Sequence, residues 1–147
     1  MKKIFLLGFI LLGTYLSSYS QEIGLRFGSV TGGSSVAIDG VFTTTDFTRI
    51  HADISFANGV GVDVLWDFIY KPIEGEDLHW YVGAGPYVFM GQPLKIGLMA
   101  EVGWAYQFKN VPIVLAMDWR PAVQILSTTK LNFQGIGLNL RYLISSY

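Results

Sequence analysis

"VGVDVLWDFIY", residues 60–70, decides the fold class, because its large apolar side chains recur at every second position. If the backbone is extended, Val62 and Trp66 face one way while Asp63 and Asp67 face the other. An α-helix would instead bring apolar residues back after about 3.6 positions. The stretch therefore predicts a β-strand with one apolar face and one polar face.

Seven further runs of the chain show the same alternation, and short turn signals such as "TGGSS" (31–35) and "ANG" (57–59) separate them. Strands joined by such short connections are antiparallel neighbours. Eight strands can close into a barrel, which removes both free edges of the sheet. We therefore predict an all-β fold, an eight-stranded antiparallel up-and-down β-barrel. The eight runs are 22–30, 35–43, 48–57, 60–70, 78–90, 95–108, 111–121 and 132–144.

Pro86 interrupts the fifth of these runs, on the side that carries its apolar residues. Proline has no backbone N–H to donate to a neighbouring strand, and a closed barrel has no free edge on which to place it. We expect a β-bulge there, or a strand that ends near Gly85.

The start of the chain resembles an export signal. Lys2 and Lys3 precede the apolar stretch 4–12, and small residues Ser18 and Ser20 stand where a cleavage site would lie. The apolar stretch is too short to span a bilayer as a helix. We expect a cleavable signal peptide at 1–20, followed by a single barrel domain at 21–147.

The composition is hydrophobic and poor in charge for a soluble domain, with 51% hydrophobic and 14% charged residues and a net charge of -1. A chain without a basic surplus offers no electrostatic field for nucleic acid. With 0 cysteines it has no disulfide framework. We expect neither a nucleic-acid partner nor a cofactor.

Side-chain volume indicates which face of the barrel is inside. The apolar face is bulky and carries no charge, whereas the opposite face is small and polar. An eight-stranded barrel is only wide enough for side chains to fill it, so the small face fits within. The apolar face then points outward, which predicts a transmembrane β-barrel in the outer membrane with both ends of the mature chain in the periplasm. A soluble, exported lipocalin-like barrel that binds an apolar ligand is the alternative, with the faces reversed.

Aromatic residues of the outward face fall toward one end of the predicted barrel. Tryptophan and tyrosine concentrate where a membrane protein meets the interface between lipid and water. We therefore interpret eight residues as membrane-interface aromatics. They are Trp66, Phe68, Tyr70, Trp80, Trp104, Tyr106, Phe108 and Tyr142.

The inward face carries nearly balanced numbers of positive and negative side chains. Buried charges persist when they are paired and hydrogen-bonded, so this balance predicts an ion-paired plug rather than a general diffusion pore. The predicted lumen network consists of Arg26, Asp39, Arg49, His51, Asp53, Asp63, Asp67, Lys95, Glu101, Asp118, Arg120 and Arg141.

The stretch "RIHADISF" (49–56) contains the residue types of a catalytic triad in His51, Asp53 and Ser55. On one strand, however, successive members of this set stand about 7 Å apart, too far to hydrogen-bond to one another. We predict no catalytic residue and no metal site. A lipid-modifying envelope enzyme that uses His51 and Ser55 together with groups from neighbouring strands is the open alternative.

Three segments, "WYVGAGPYV" (80–88), "GLMAEVGWAYQFKNVPIVLAMDWRP" (97–121) and "GIGLNLRYLI" (135–144), resemble the small outer-membrane β-barrel proteins of Bacteroidota. They are broadly similar to OmpA/OmpX-like eight-stranded barrels. The resemblance covers most of the chain after residue 20. It departs at the end, where "SSY" follows the last strand instead of an aromatic residue within it.

The resemblance implies a location in the outer membrane of a Gram-negative envelope and a monomeric barrel. It also implies contact with outer-membrane lipid and insertion by the barrel-assembly machinery, which reads a C-terminal strand. Most proteins of this kind have no assigned activity, so a structural or undefined role is the expectation here.

Overall fold

The computed structural model describes residues 21–73 and 77–145, which form strands along most of their length. The predicted export signal at 1–20 lies outside these residues. Within them, no helix is long and apolar enough to cross a bilayer.

The described residues contain ten strands and one short 3₁₀ turn at Thr31–Gly33. The strands are β1 (Gln21–Gly28), β2 (Val36–Thr45), β3 (Thr48–Phe56), β4 (Gly59–Pro72), β5 (Leu78–Gly91), β6 (Lys95–Gln107), β7 (Ile113–Trp119), β8 (Ala122–Gln124), β9 (Lys130–Asn132) and β10 (Ile136–Ser145).

Backbone pairing closes eight of these strands into a ring. β1 to β7 pair with one another in chain order, β7 pairs with β10, and β10 pairs with β1; every pairing is antiparallel. The predicted closed eight-stranded antiparallel barrel is thereby confirmed. We call the end of the barrel that holds Gln21 and the end of β10 the lower end, and the opposite end the upper end.

β8 and β9 form a hairpin that rises from the upper end between β7 and β10. Pro121 separates β7 from β8, and the chain is held there because Arg120 N donates to Gly135 O at 2.7 Å and Ala100 N donates to Pro121 O at 2.9 Å. β8 then runs along residues 97–99 of β6. The predicted strands 111–121 and 132–144 leave 122–131 as a connection, whereas the structure builds most of it into this hairpin.

The bulge expected at Pro86 is absent, and that prediction was wrong. Asp63 pairs with Tyr87 and Trp66 pairs with Ala84, so the register between β4 and β5 is the same on both sides of the proline. β5 continues through to Gly91. The pairing of β4 with β5 is interrupted for two residues at Pro86 and resumes in the same register.

The bulge in this part of the sheet lies instead between Asp67 and Ile69 of β4. An extra residue on one strand reverses the facing of the side chains beyond it. Tyr70 therefore turns inward, and the Arg49 guanidinium lies 4.3 Å from the centre of its ring. The prediction that Tyr70 belongs to the outward aromatics was wrong for this reason.

Burial alternates along every long strand, with the charged face inside. Trp66 is 57% exposed and Leu138 is 45% exposed, whereas Arg141 and Asp63 are 1% and 3% exposed. The other seven predicted interface aromatics are exposed on the outer surface. They are Trp66, Phe68, Trp80, Trp104, Tyr106, Phe108 and Tyr142.

The charged lumen as the candidate functional site

The interior of the barrel is filled by charged and polar side chains that bind one another across the lumen. Four arginines and one histidine face seven carboxylates there, all of them almost fully buried. We call this set, with Tyr81 and Asn139, the lumen network. Its charged members are Arg26, Arg49, His51, Arg120, Arg141, Glu22, Asp39, Asp53, Asp63, Asp67, Glu101 and Asp118.

The Arg141 side chain connects β10 to β2, two strands that are not neighbours in the ring. Its Nε donates to Asp39 Oδ2 at 2.7 Å and its Nη1 donates to Glu22 Oε2 at 2.8 Å. Arg141 on β10 and Asp39 on β2 are both in register with Gly24 of β1, which lies between them. Because Gly24 has no side chain, the guanidinium can pass over it to reach the carboxylate.

His51 lies between two carboxylates. Its Nε2 is 2.7 Å from Asp39 Oδ1, and its Nδ1 is 3.1 Å from Glu101 Oε2. The ring can donate to both carboxylates only when both nitrogens carry a proton, which is the charged imidazolium. Arg120 Nη2 also lies 3.2 Å from His51 Nδ1 and 3.0 Å from His51 Nε2. His51 thus acts as a cation within the lumen network.

Arg120 binds three carboxylates from three different strands. Its Nε donates to Glu101 Oε2 at 3.0 Å and lies 3.4 Å from Asp118 Oδ1, while its Nη1 donates to Asp53. Arg120 stands directly before Pro121, at the break between β7 and β8. Its side chain keeps the inward parity of Asp118 beyond the end of β7, and its guanidinium is the common partner of these three carboxylates.

Asp118 accepts hydrogen bonds from several directions. Arg26 Nη1 and Asn139 Nδ2 donate to it, the latter at 2.6 Å, and the Tyr81 hydroxyl donates at 3.1 Å. Several donors on one buried carboxylate offset the cost of removing its charge from water.

Glycines lie where side chains of two strands contact each other across the strand between them. Gly103 of β6 is in register with Tyr81 on one side and Asp118 on the other, and a Cβ added to it would lie 2.6 Å from Tyr81 Cζ. Gly83 stands in the same way between Asp67 and Glu101. The small residues of the inward face therefore make room for contacts between strands that are two places apart.

The lower end of the lumen is closed by aromatic rings and one arginine. Arg49 Nε donates to Asp67 Oδ2 at 2.6 Å, and its guanidinium lies 4.3 Å from the ring centres of both Tyr70 and Tyr81. The Tyr70 ring stacks on His79 at 4.7 Å. A cation between aromatic faces is stabilised by their negative electrostatic potential.

The 3₁₀ turn at Thr31–Gly33 folds into the upper end of the lumen. The Thr31 hydroxyl donates to Asp63, and the Thr31 carbonyl accepts from Ser55 Oγ at 2.7 Å. Gly32 has φ +85, and a Cβ there would lie 2.3 Å from the Phe89 ring. Only glycine can therefore hold this turn so close to the wall.

The geometry of Ser55 does not support a nucleophile. Its single hydroxyl proton is donated to the backbone carbonyl of Thr31, whereas a catalytic serine must deliver that proton to a base. His51, the candidate base, is engaged by Asp39 and Glu101 on its two nitrogens.

Two groups of side chains have the composition of a metal site. Asp39, His51 and Asp53 place ligand atoms within 4.8 Å of one another, and so do His51, Asp67 and Glu101. Buried arginines already bind these carboxylates. A divalent ion would have to displace their positive charges, so we assign no metal to the lumen.

The structure brings together eleven of the twelve residues predicted for the network and leaves one out. Lys95 stands at the upper rim, 5.5 Å from the Phe89 ring, and forms no ion pair within the described residues. Glu22, Tyr81 and Asn139 also belong to the network, although the predicted set does not contain them. Strict alternation from Arg26 reaches Glu22 and alternation from Arg141 reaches Asn139, so parity alone could have found both.

The chain matches no protein-family model, no curated protein and no solved structure.

Proposed function

We propose that the protein is a small outer-membrane β-barrel whose lumen is plugged by the lumen network, with a structural role in the membrane rather than that of a diffusion pore. The observation that carries the proposal is the inside-out distribution of side chains. Large apolar residues cover the outside of a closed ring of strands, and the charges lie inside.

The outer surface supports a lipid environment. Trp66, Trp104, Tyr142, Ile144 and Ile136 are each more than half exposed. A continuous apolar surface of this kind drives association in water. In hydrocarbon it is favourable, since a closed barrel also satisfies its backbone hydrogen bonds internally.

The lumen supports a plug. Ion pairs bridge the ring at several heights, from Glu22 and Arg141 near the lower end to Asp53 and Arg120 farther up. The rings of Tyr70 and Tyr81 close the lower end around Arg49. A pore would need a continuous water-filled path through these contacts.

The remaining parts of the proposal follow from a membrane location and from the resemblance to OmpA/OmpX-like barrels. Outer-membrane lipid surrounds the barrel, the barrel-assembly machinery inserts it, and it works as a monomer without nucleic acid or cofactor. Both ends of the mature barrel lie on the periplasmic side, which makes the lower end periplasmic.

Envelope fractionation tests the proposal, combined with electrophoresis in SDS with and without boiling. We expect the protein in the outer-membrane fraction, with an unboiled form that migrates differently from the boiled form because the closed barrel resists SDS. Recovery from the periplasm without detergent would contradict the proposal and favour the soluble, ligand-carrying barrel.

A further inference from the structure

A cavity of about 310 Å³ opens at the upper end of the barrel, above the lumen network. The turn at 31–33, the upper part of β5 and β6, and the hairpin of β8 and β9 line it. Ligand cavities begin at about this volume. Because Lys95, Gln124 and Lys130 are among the side chains that line it, the cavity suits a small polar ligand rather than an acyl chain.

Two lysines line this cavity without a carboxylate partner. Lys95 begins β6 and Lys130 begins β9, and neither forms an ion pair within 21–73 and 77–145. Lys109, by contrast, lies 3.0 Å from Asp77 at the lower end of the barrel. An anion bound in the cavity would be attracted by both ammonium groups.

The other charges of the lining leave the balance positive. Asp63 is the one acidic side chain among the lining residues, and it accepts a hydrogen bond from the Thr31 hydroxyl. Arg120 forms part of the floor, with its guanidinium bound to Glu101 and Asp53 below. The two lysines are therefore the groups with charge available to a ligand.

We propose that this cavity, the upper vestibule, binds a small phosphate-bearing ligand between Lys95 and Lys130. Lysine binds phosphate as a point charge, and two separate ammonium groups match an anion that carries more than one negative charge. The phosphate belongs either to a soluble monoester or to a lipid headgroup. The inference goes beyond the proposed function, because the lumen network below needs no ligand.

Titration of the folded full-length protein tests the vestibule in two arms. The first arm adds inorganic phosphate or glycerol 1-phosphate to protein in a zwitterionic detergent. The second arm compares nanodiscs of phosphatidylcholine with nanodiscs that also contain phosphatidic acid. Binding of glycerol 1-phosphate identifies a soluble ligand. Binding of phosphatidic acid in the nanodiscs, without binding of glycerol 1-phosphate, identifies a lipid headgroup.

Variants distinguish the vestibule from general electrostatic attraction. We expect Lys95→Gln and Lys130→Gln each to weaken binding about five-fold, the upper range for one exposed ion pair. Lys71→Gln at the lower end is the matched control and should leave binding unchanged. Asp63→Asn should strengthen binding by removing the one negative charge of the lining, an effect that a purely structural role would not give.

All variants are first checked for the unboiled, SDS-resistant form. Sodium chloride should weaken binding, since exposed charges are screened beyond about 8 Å at physiological ionic strength. Absence of saturable binding in both arms would overturn the proposal. An equal loss of affinity in Lys71→Gln would do the same.

Discussion

The Tyr81 hydroxyl donates to Asp118 Oδ2 at 3.1 Å across Gly103, which lies between the two residues in the register of three adjacent strands. The same arrangement places Gly24 between Asp39 and Arg141. A narrow barrel brings strands that are two places apart within reach of one side chain. In both of these pairs the contact passes over a glycine of the strand between them.

Gly103→Ala should therefore destabilise the barrel. The added Cβ would lie 2.6 Å from Tyr81 Cζ and 2.7 Å from Asp118 Cβ, closer than real contacts allow. Overpacking of this kind costs about 1–3 kcal/mol. Urea unfolding of protein folded into detergent or vesicles measures the change. Gly40→Ala is the matched control, since its Cβ would meet nothing nearer than 3.5 Å. Equal losses of unfolding free energy in the two variants would contradict the role given to Gly103.

Arg120→Ala should destabilise the barrel far more than the loss of an exposed positive charge does. It leaves Glu101 and Asp53 without their shared guanidinium, and removing one partner of a buried ion pair costs about 3–5 kcal/mol. The free energy of unfolding in urea is the measurement. Lys71→Ala, on an exposed position at the lower end, controls for loss of a positive charge. A stability within experimental error of the wild type would show that the network does not hold the barrel together.

Leu140→Arg should prevent stable insertion into lipid. Leu140 lies midway along β10, opposite Leu25 of β1, and is 49% exposed on the outer surface. An arginine on the lipid face near the middle of the bilayer costs about 2–4 kcal/mol, and much less near the interface. Phe47→Arg, at the turn of the lower end, is the matched control. Folding yield into vesicles should fall for the first variant and hold for the second.

The purified protein should pass no steady ionic current in a planar bilayer. Arg26, Arg49, Arg120 and Arg141 are each at most 3% exposed, so their guanidinium groups fill the lumen rather than line a channel. Single-channel recording is the measurement. A stable open level that survives prolonged recording would rule out the plug and would support a conducting role.

Alternation along the chain predicted the barrel and much of the lumen network, because a strand sends successive side chains to opposite faces. Arg26, Asp53 and Asp118 could be assigned to the interior on this ground alone. Alternation gave the wrong face for Tyr70, because the bulge between Asp67 and Ile69 reverses the facing of the side chains beyond it. Alternation also assigned Lys95 to the lumen network, although Lys95 stands at the upper rim. Alternation shows which face of the sheet a residue lies on, but not its height along the barrel axis.

The recurrence of apolar side chains at every second position, together with side-chain volume, determined the strands, their antiparallel order and the face that turns outward. These features depend on neighbours along the chain. The pairing of Arg141 with Asp39, 102 residues apart, and of Arg120 with Asp53, 67 apart, was decided only by tertiary structure. Closure of the ring sets which strands meet and at what register. Which charge finds which partner is therefore a property of the closed barrel and cannot be derived from any one strand.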